Sequence, residues 1–135
     1  MKKSAQKTEK QIIGSFGERR AMHYLLLRGY TVKERNWRTG HREIDLIVSN
    51  LRDIVFVEVK TRTYSSMEEL QSCAPPRHAV HRDKQQFTRQ AAQAYLATHP
   101  SRKQPRMDVI EISLLRVKDG KRPKVVRINH IKAAY

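Results

Sequence analysis

The chain has 135 residues, a single cysteine, and 28 Lys and Arg against 13 Asp and Glu, for a formal charge of +15. That length holds one domain with a modest core, and the lone Cys73 excludes an intramolecular disulfide and fits a reducing cytoplasm. The charge calls for a polyanionic partner, with nucleic acid first. The basic residues are spread along the chain without a Trp-rich amphipathic segment or a long apolar run, which argues against a membrane.

Residues 1–8 read as a disordered basic arm, and residues 9–135 as a single domain. The arm has no apolar stretch behind it, so no signal peptide is expected. From Glu9 to Arg28, Ile13, Phe16, Tyr24 and Leu27 recur at helical spacing, and Gly29 supplies a C-terminal stop. Gly14 and Gly17 weaken that helix relative to alanine, so close packing on a sheet is the expected reason for both. Tyr30 to Asn36 reads as a polar edge strand, and Trp37 to Arg42 as a basic loop whose one aromatic ring either stacks on a base or plugs the core.

Arg42 to Arg62 holds two runs rich in Ile, Val and Phe around Ser-Asn-Leu-Arg-Asp, the pattern of a β-hairpin. Its four-residue turn, Asn50 to Asp53, sets Val48 against Val55 and Ile47 against Phe56. Continued, that register brings Asp45 beside Glu58 and Glu43 beside Lys60. Ionised groups in apolar strands are costly unless paired or bound to an ion, and two adjacent carboxylates invite a shared proton or a cation. Hard oxygen ligands suit Mg2+ or Mn2+, and a lysine two residues past the second carboxylate is placed to hold the attacking water. Glu43 reads as a third ligand or as an ion-pair partner that orients Lys60, with the ion pair preferred.

Residues 63–77 lack periodicity and read as a loop. A second helix is expected from His78 to His99, with Val80, Lys84, Phe87, Ala91 and Ala94 on its apolar stripe. Cys73, His78 and His81 match no zinc spacing. Arg106–Val117 and Lys124–Ile131 read as two further strands joined through Asp119-Gly120, and Asp108 as a support for the sheet. The element order describes an α/β sandwich with a mixed sheet.

Asp45 followed by Glu58-Val59-Lys60 resembles the PD-(D/E)xK nucleases, the restriction-endonuclease-like superfamily that includes archaeal Holliday junction resolvases. More of the chain is similar to the YraN family of small bacterial proteins. The similar motifs are Gly14-x-x-Gly17-Glu18, Asn36-Trp37-Arg38, Glu43-Ile44-Asp45-Leu46-Ile47, Phe56-Val57-Glu58-Val59-Lys60-Thr61-Arg62 and Ala91-Ala92-x-x-Tyr95-Leu96. Together they span roughly residues 12–112. The resemblance implies a restriction-endonuclease-like sandwich, a mixed central β-sheet flanked by helices. It implies a divalent-metal-dependent, endonuclease-like hydrolase of nucleic acid, with branched or structured DNA ahead of RNA and a homodimer as an option.

On that resemblance, Asp45, Glu58 and Glu18 are metal ligands, and Lys60 acts with them in catalysis. Read from the residues alone, Glu18 is a solvated helix charge. Arg38, Arg42, Arg62 and Lys84 are the expected phosphate contacts. For Lys84 the simpler alternative is a packed stem with its amine in solvent. The chain departs from its relatives at Arg42, where glycine is usual, and in the 63–77 loop. The competing class is a binding module that keeps the fold without catalysis. A basic ribosome-associated or assembly protein is the more distant alternative.

Overall fold

The computed structural model describes residues 8–72, 82–117 and 122–135. The elements run α1 (Glu9–Leu27), β1 (Thr31–Thr39), β2 (Arg42–Ser49), β3 (Asp53–Tyr64), α2 (Met67–Ser72), α3 (Arg82–Thr98), β4 (Gln104–Leu115) and β5 (Lys124–Ile131). The strands form one sheet in the order β1-β2-β3-β4-β5. Only β3 and β4 are parallel, because the α2–α3 crossover separates them; the other neighbours are antiparallel. The result is a mixed sheet with helices on both faces.

α1 and α3 each cover one half of the core. Ala21 and Leu25 of α1 pack on Leu46, Val48, Val55 and Val57. Ala91, Ala92 and Tyr95 of α3 pack on Ile44, Ile47, Ile54 and Phe56. Thr8 is the N-cap of α1 rather than part of a basic arm. Its hydroxyl accepts the Gln11 N–H while the Gln11 side chain accepts the Thr8 N–H, so two of the helix's spare donors are satisfied. At the other end Gly29, at φ +87°, ends the helix as expected, with its N–H on the Leu26 carbonyl.

The two expected glycine contacts separate. Gly17 is buried against β3, where a Cβ would overlap the Thr61 hydroxyl. Gly14 has nothing within 4 Å of its Cβ position, so sheet packing does not explain it. Leu27, expected on the buried stripe, is 81% exposed.

Three further expectations are corrected. Trp37 to Thr39 continue β1 and Arg42 begins β2, which leaves a two-residue turn with Gly40 at φ +60°. Of the two readings of Trp37 the core plug holds, its ring edge-on to Tyr95 at 5.2 Å between centroids. Of the expected loop, Thr63 and Tyr64 end β3 and Met67–Ser72 form the short α2, with only Ser65 and Ser66 between them, and residues 73–77 lie outside the described residues. The buried stripe of α3 is Thr88, Ala91, Ala92 and Tyr95, and Phe87 is 51% exposed, so the inward face is rotated from the expected one. The expected arm at residues 1–7, Cys73, His78, Val80, His81 and the Asp119-Gly120 turn lie outside the described residues.

A carboxylate cluster at the fork between two strands

The β2–β3 hairpin has the expected register, with Val48 opposite Val55 and Ile47 opposite Phe56. Asn50 Oδ1 accepts the N–H groups of Arg52 and Asp53 (3.0 and 2.7 Å), which closes the turn. The paired rungs end at Leu46 and Val57, one step before Asp45 and Glu58. Neither Asp45–Glu58 nor Glu43–Lys60 is therefore a ladder pair. Beyond that point β2 and β3 part, and Asp45 Oδ2 fills the gap by accepting the Val59 N–H at 2.8 Å.

The β1–β2 ladder shifts register between Val32 and Glu34, and then keeps one register past the level of Asp45. Arg35 pairs with Leu46 and Trp37 with Ile44, so Asn36, at φ +51°, stands across from Asp45. There β2 departs from strict alternation. Ile44 and Ile47, three residues apart, both join the core under α3, whereas Leu46 joins the core under α1. Asp45 sits where the strand changes face, which gives one carboxylate access to groups from both layers.

Further polar groups gather there. Burial pushes the Asp45 carboxyl up most, and with Glu18 of α1 and Glu58 of β3 it raises the group to about 7 against the Val59 N–H and the Lys84 amine. Glu18 is itself raised, first by burial and then by Glu43, against Asn36 and Arg35. With its amide nitrogen turned to the carboxylates, Asn36 donates to Glu18 Oε2 (3.1 Å) and Glu43 Oε1 (3.3 Å). Glu58 Oε2 is buried with no hydrogen-bond partner. The sequence-predicted Asp45, Glu58 and Glu18 thus converge.

The supporting residues divide. Glu43 forms its ion pair with Arg38 at 3.5 Å, so Arg38 partly neutralises the cluster's outer edge. Lys60, half-buried, lies in the rung beside Glu111, a 96% buried glutamate on β4 whose two carboxylate oxygens both lack a hydrogen-bond partner. Arg42 is half-buried with its guanidinium 5.7 Å from the Phe87 ring, so it braces α3. Arg62 and Lys84 are exposed, and Lys84 is near enough to Asp45 to favour its charged form.

Sequence reasoning missed Tyr135. Ala133 turns the chain at φ +49°, its N–H bonded to Asp108 Oδ1 (3.0 Å), and the Ala134 N–H reaches the Met107 carbonyl (2.7 Å). That brings the Tyr135 phenol to the cluster. Burial raises it, Thr88 and Arg89 oppose the rise, and Glu58 and Asp45 add to it. No local pattern points to this residue, since its position follows from the bond between the Ala133 N–H and Asp108, 25 residues before Ala133.

The oxygen-only donors, the raised Asp45 and the orphaned Glu58 oxygen fit a hard divalent ion that keeps most of its waters. Among the described residues no three acidic, His or Cys side chains form a ready-made cage. Also among them, no helix is long and apolar enough to cross a membrane.

Fold and site define a small three-layer α/β domain with a carboxylate cluster where its sheet forks. Residues 17–112 match the uncharacterised protein family UPF0102, the YraN-like family, and the chain belongs to it. It is 38% identical over 130 residues to a UPF0102 protein of Caldanaerobacter subterraneus subsp. tengcongensis, covering 96% of this chain and 98% of the relative. It is 36% identical over 126 residues to one from Alkaliphilus oremlandii, covering 91% and 97%. With one from Bacteroides thetaiotaomicron it shares 35% over 123 residues, 91% of each. Glu18, Asp45, Glu58, Lys60 and Lys84 fall inside the matched span, and Tyr135 falls outside it.

Proposed function

We propose that the chain is a divalent-metal-dependent hydrolase of nucleic acid on a restriction-endonuclease-like sandwich, with Mg2+ or Mn2+ as the ion and DNA as the first substrate. The observation that carries this reading is Asp45. Its carboxyl is raised to about 7 in a desolvated fork beside Glu18 and Glu58, an arrangement that favours either a proton or a cation. The net charge of +15 supports a polyanionic substrate.

In this reading Asp45 and Glu58 hold the ion from adjacent strands, and Glu18 closes the set from α1. The ion would polarise the scissile phosphate and make water a better nucleophile. Lys60 orients that water or stabilises the charge that builds up on the phosphate, and Lys84 offsets the negative charge of Asp45. The Val59 N–H fixes one Asp45 oxygen, which leaves the other for ligand. Arg62, Arg38 and Arg42 supply the flanking phosphate contacts, whose contribution falls with salt.

A second reading, a nucleic-acid binding module without catalysis, is favoured by the lack of a ready-made three-donor cage among the described residues. Labelled branched DNA, linear DNA and structured RNA, each with Mg2+, Mn2+ or chelator, separate the two. Cleavage that Asp45→Asn and Lys60→Ala abolish while binding persists supports the hydrolase. Binding without cleavage of any substrate, unchanged in both variants, supports the module.

A further inference from the structure

Two cavities flank Glu18. One, about 380 Å3, lies under the first turns of α1 and is lined by Lys10, Gly14, Glu18, Thr61 and Arg116. The other, about 320 Å3, opens toward β1 and is lined by Glu18, Arg19, Arg35 and Asn36. Gly14 and Glu18 are one helical turn apart on the same flank of α1; Gly14 lines the first space, and Glu18 lines both.

Gly14 is the residue here that the fold does not account for. A glycine in a helix interior is unfavourable relative to alanine. Gly17 returns that cost by letting α1 approach Thr61, whereas nothing lies within 4 Å of the Gly14 Cβ position and its φ is ordinary. The open space it faces is the first cavity.

We propose that this flank of α1 is a trough for one unpaired nucleic-acid strand, kept open at Gly14 and leading past Glu18 to the carboxylate cluster. Lys10 and Arg116 stand on one side of Glu18, and Arg19 and Arg35 on the other. Cations spaced along a concave groove track a single backbone. In this proposal a single strand enters the spaces between α1 and the sheet, at β3 on one side of Glu18 and at β1 on the other, while the broader duplex stays on their rims. Arg116 pairs with Glu9 at 3.1 Å where both are exposed, a weak contact that a phosphate can replace. The proposal rests on the nucleic-acid reading above and names the strand form of that substrate.

The test is Gly14→Gln, which adds a good helix former and no charge. The full chain is titrated by fluorescence anisotropy with a short fluorescein-labelled single-stranded DNA and with its blunt duplex, in chelator at about 0.15 M salt. The variant should melt at a higher temperature than the wild type, bind the single strand about tenfold more weakly, and bind the duplex within about twofold of the wild type. Wild-type affinity for the single strand in Gly14→Gln, or an equal loss for both DNA forms, would overturn the trough. Because no divalent ion is present, a wild type that cleaves nothing in Mg2+ counts against hydrolysis alone.

Discussion

Asp45 Oδ2 accepts the backbone N–H of Val59 at 2.8 Å, so a side chain of β2 takes an amide that the ladder itself would satisfy if the strands stayed paired. The interaction keeps the fork open at a defined width. It also places Asp45 where water is scarce and two other carboxylates are near, which is why its carboxyl is raised to about 7.

That shift has a sign. The folded pKa lies above the ordinary aspartate value, so the folded chain binds a proton more tightly than the unfolded one. The associated stability is complete below about pH 4 and is lost as pH rises through about 7. Asp45→Asn keeps an acceptor for Val59 and removes the charge. It should be more stable than the wild type by about 1–3 kcal/mol near pH 8, with the difference vanishing near pH 4. Urea unfolding at several pH values reads this directly, and parallel wild-type and variant curves would show that Asp45 ionises without penalty.

A cation should reverse the order. An ion bound only by the folded state stabilises it by about 2.7 kcal/mol at a hundredfold excess over its dissociation constant. Mg2+ or Mn2+ should therefore raise the wild-type melting temperature at pH 8 and flatten its pH dependence. Asp45→Asn and Glu58→Gln should lose the effect. Glu43→Gln should keep most of it, because Glu43 is engaged with Arg38 and Asn36. An equal thermal shift in all four proteins would place the ion elsewhere.

The hairpin was legible because its information is local. Apolar alternation and the Asn50–Asp53 turn set Val48 opposite Val55 without outside help. The same alternation misplaced Glu43 opposite Lys60, because β2–β3 pairing ends at Leu46 and β2 changes face at Asp45, across from Asn36 of β1. Glu18 needed the resemblance, since a helix glutamate has no local mark of burial. The rotated face of α3 follows from Tyr95 packing between Trp37 and Phe56, rings that the sequence does not bring together.

The two helix glycines give opposite predictions from similar sequence settings. Gly17→Ala drives a methyl into Thr61 and should destabilise the fold by about 1–3 kcal/mol, the range for overpacking. Part of that loss should return in the Gly17→Ala/Thr61→Ala double variant. Gly14→Ala meets no atom and should stabilise by about 0.5–1 kcal/mol. Chemical denaturation of the four proteins settles the matter, and a loss at Gly14 equal to that at Gly17 would mean that α1 tolerates a Cβ at neither position.

Asp108 is fully buried and holds together parts of the chain that are far apart in sequence. Arg106 donates to both of its oxygens at 2.8 Å and also reaches Asp53 (2.8 Å) and the Tyr30 hydroxyl (2.7 Å). His130 Nε2 lies 2.7 Å from Oδ2, and the Ala133 N–H donates to Oδ1. Burial alone would raise the Asp108 carboxyl, but the bonds from His130, Arg106 and Ala133 outweigh it and hold the group below the usual aspartate range. Its contribution is therefore present above about pH 4 and is lost as pH falls through the lower folded value. Asp108→Ala leaves the half-buried Arg106 with Asp53 and Tyr30 alone and should cost about 1–3 kcal/mol, while Asp108→Asn should cost less and flatten the acid limb of the stability curve. Since Asp108 also anchors the turn that carries Tyr135 to Glu58, both variants should speed hydrogen exchange at the Ala133 amide before global unfolding. Native exchange at Ala133 in Asp108→Ala would show that the turn stands without the carboxylate, and would separate the position of Tyr135 from the buried network.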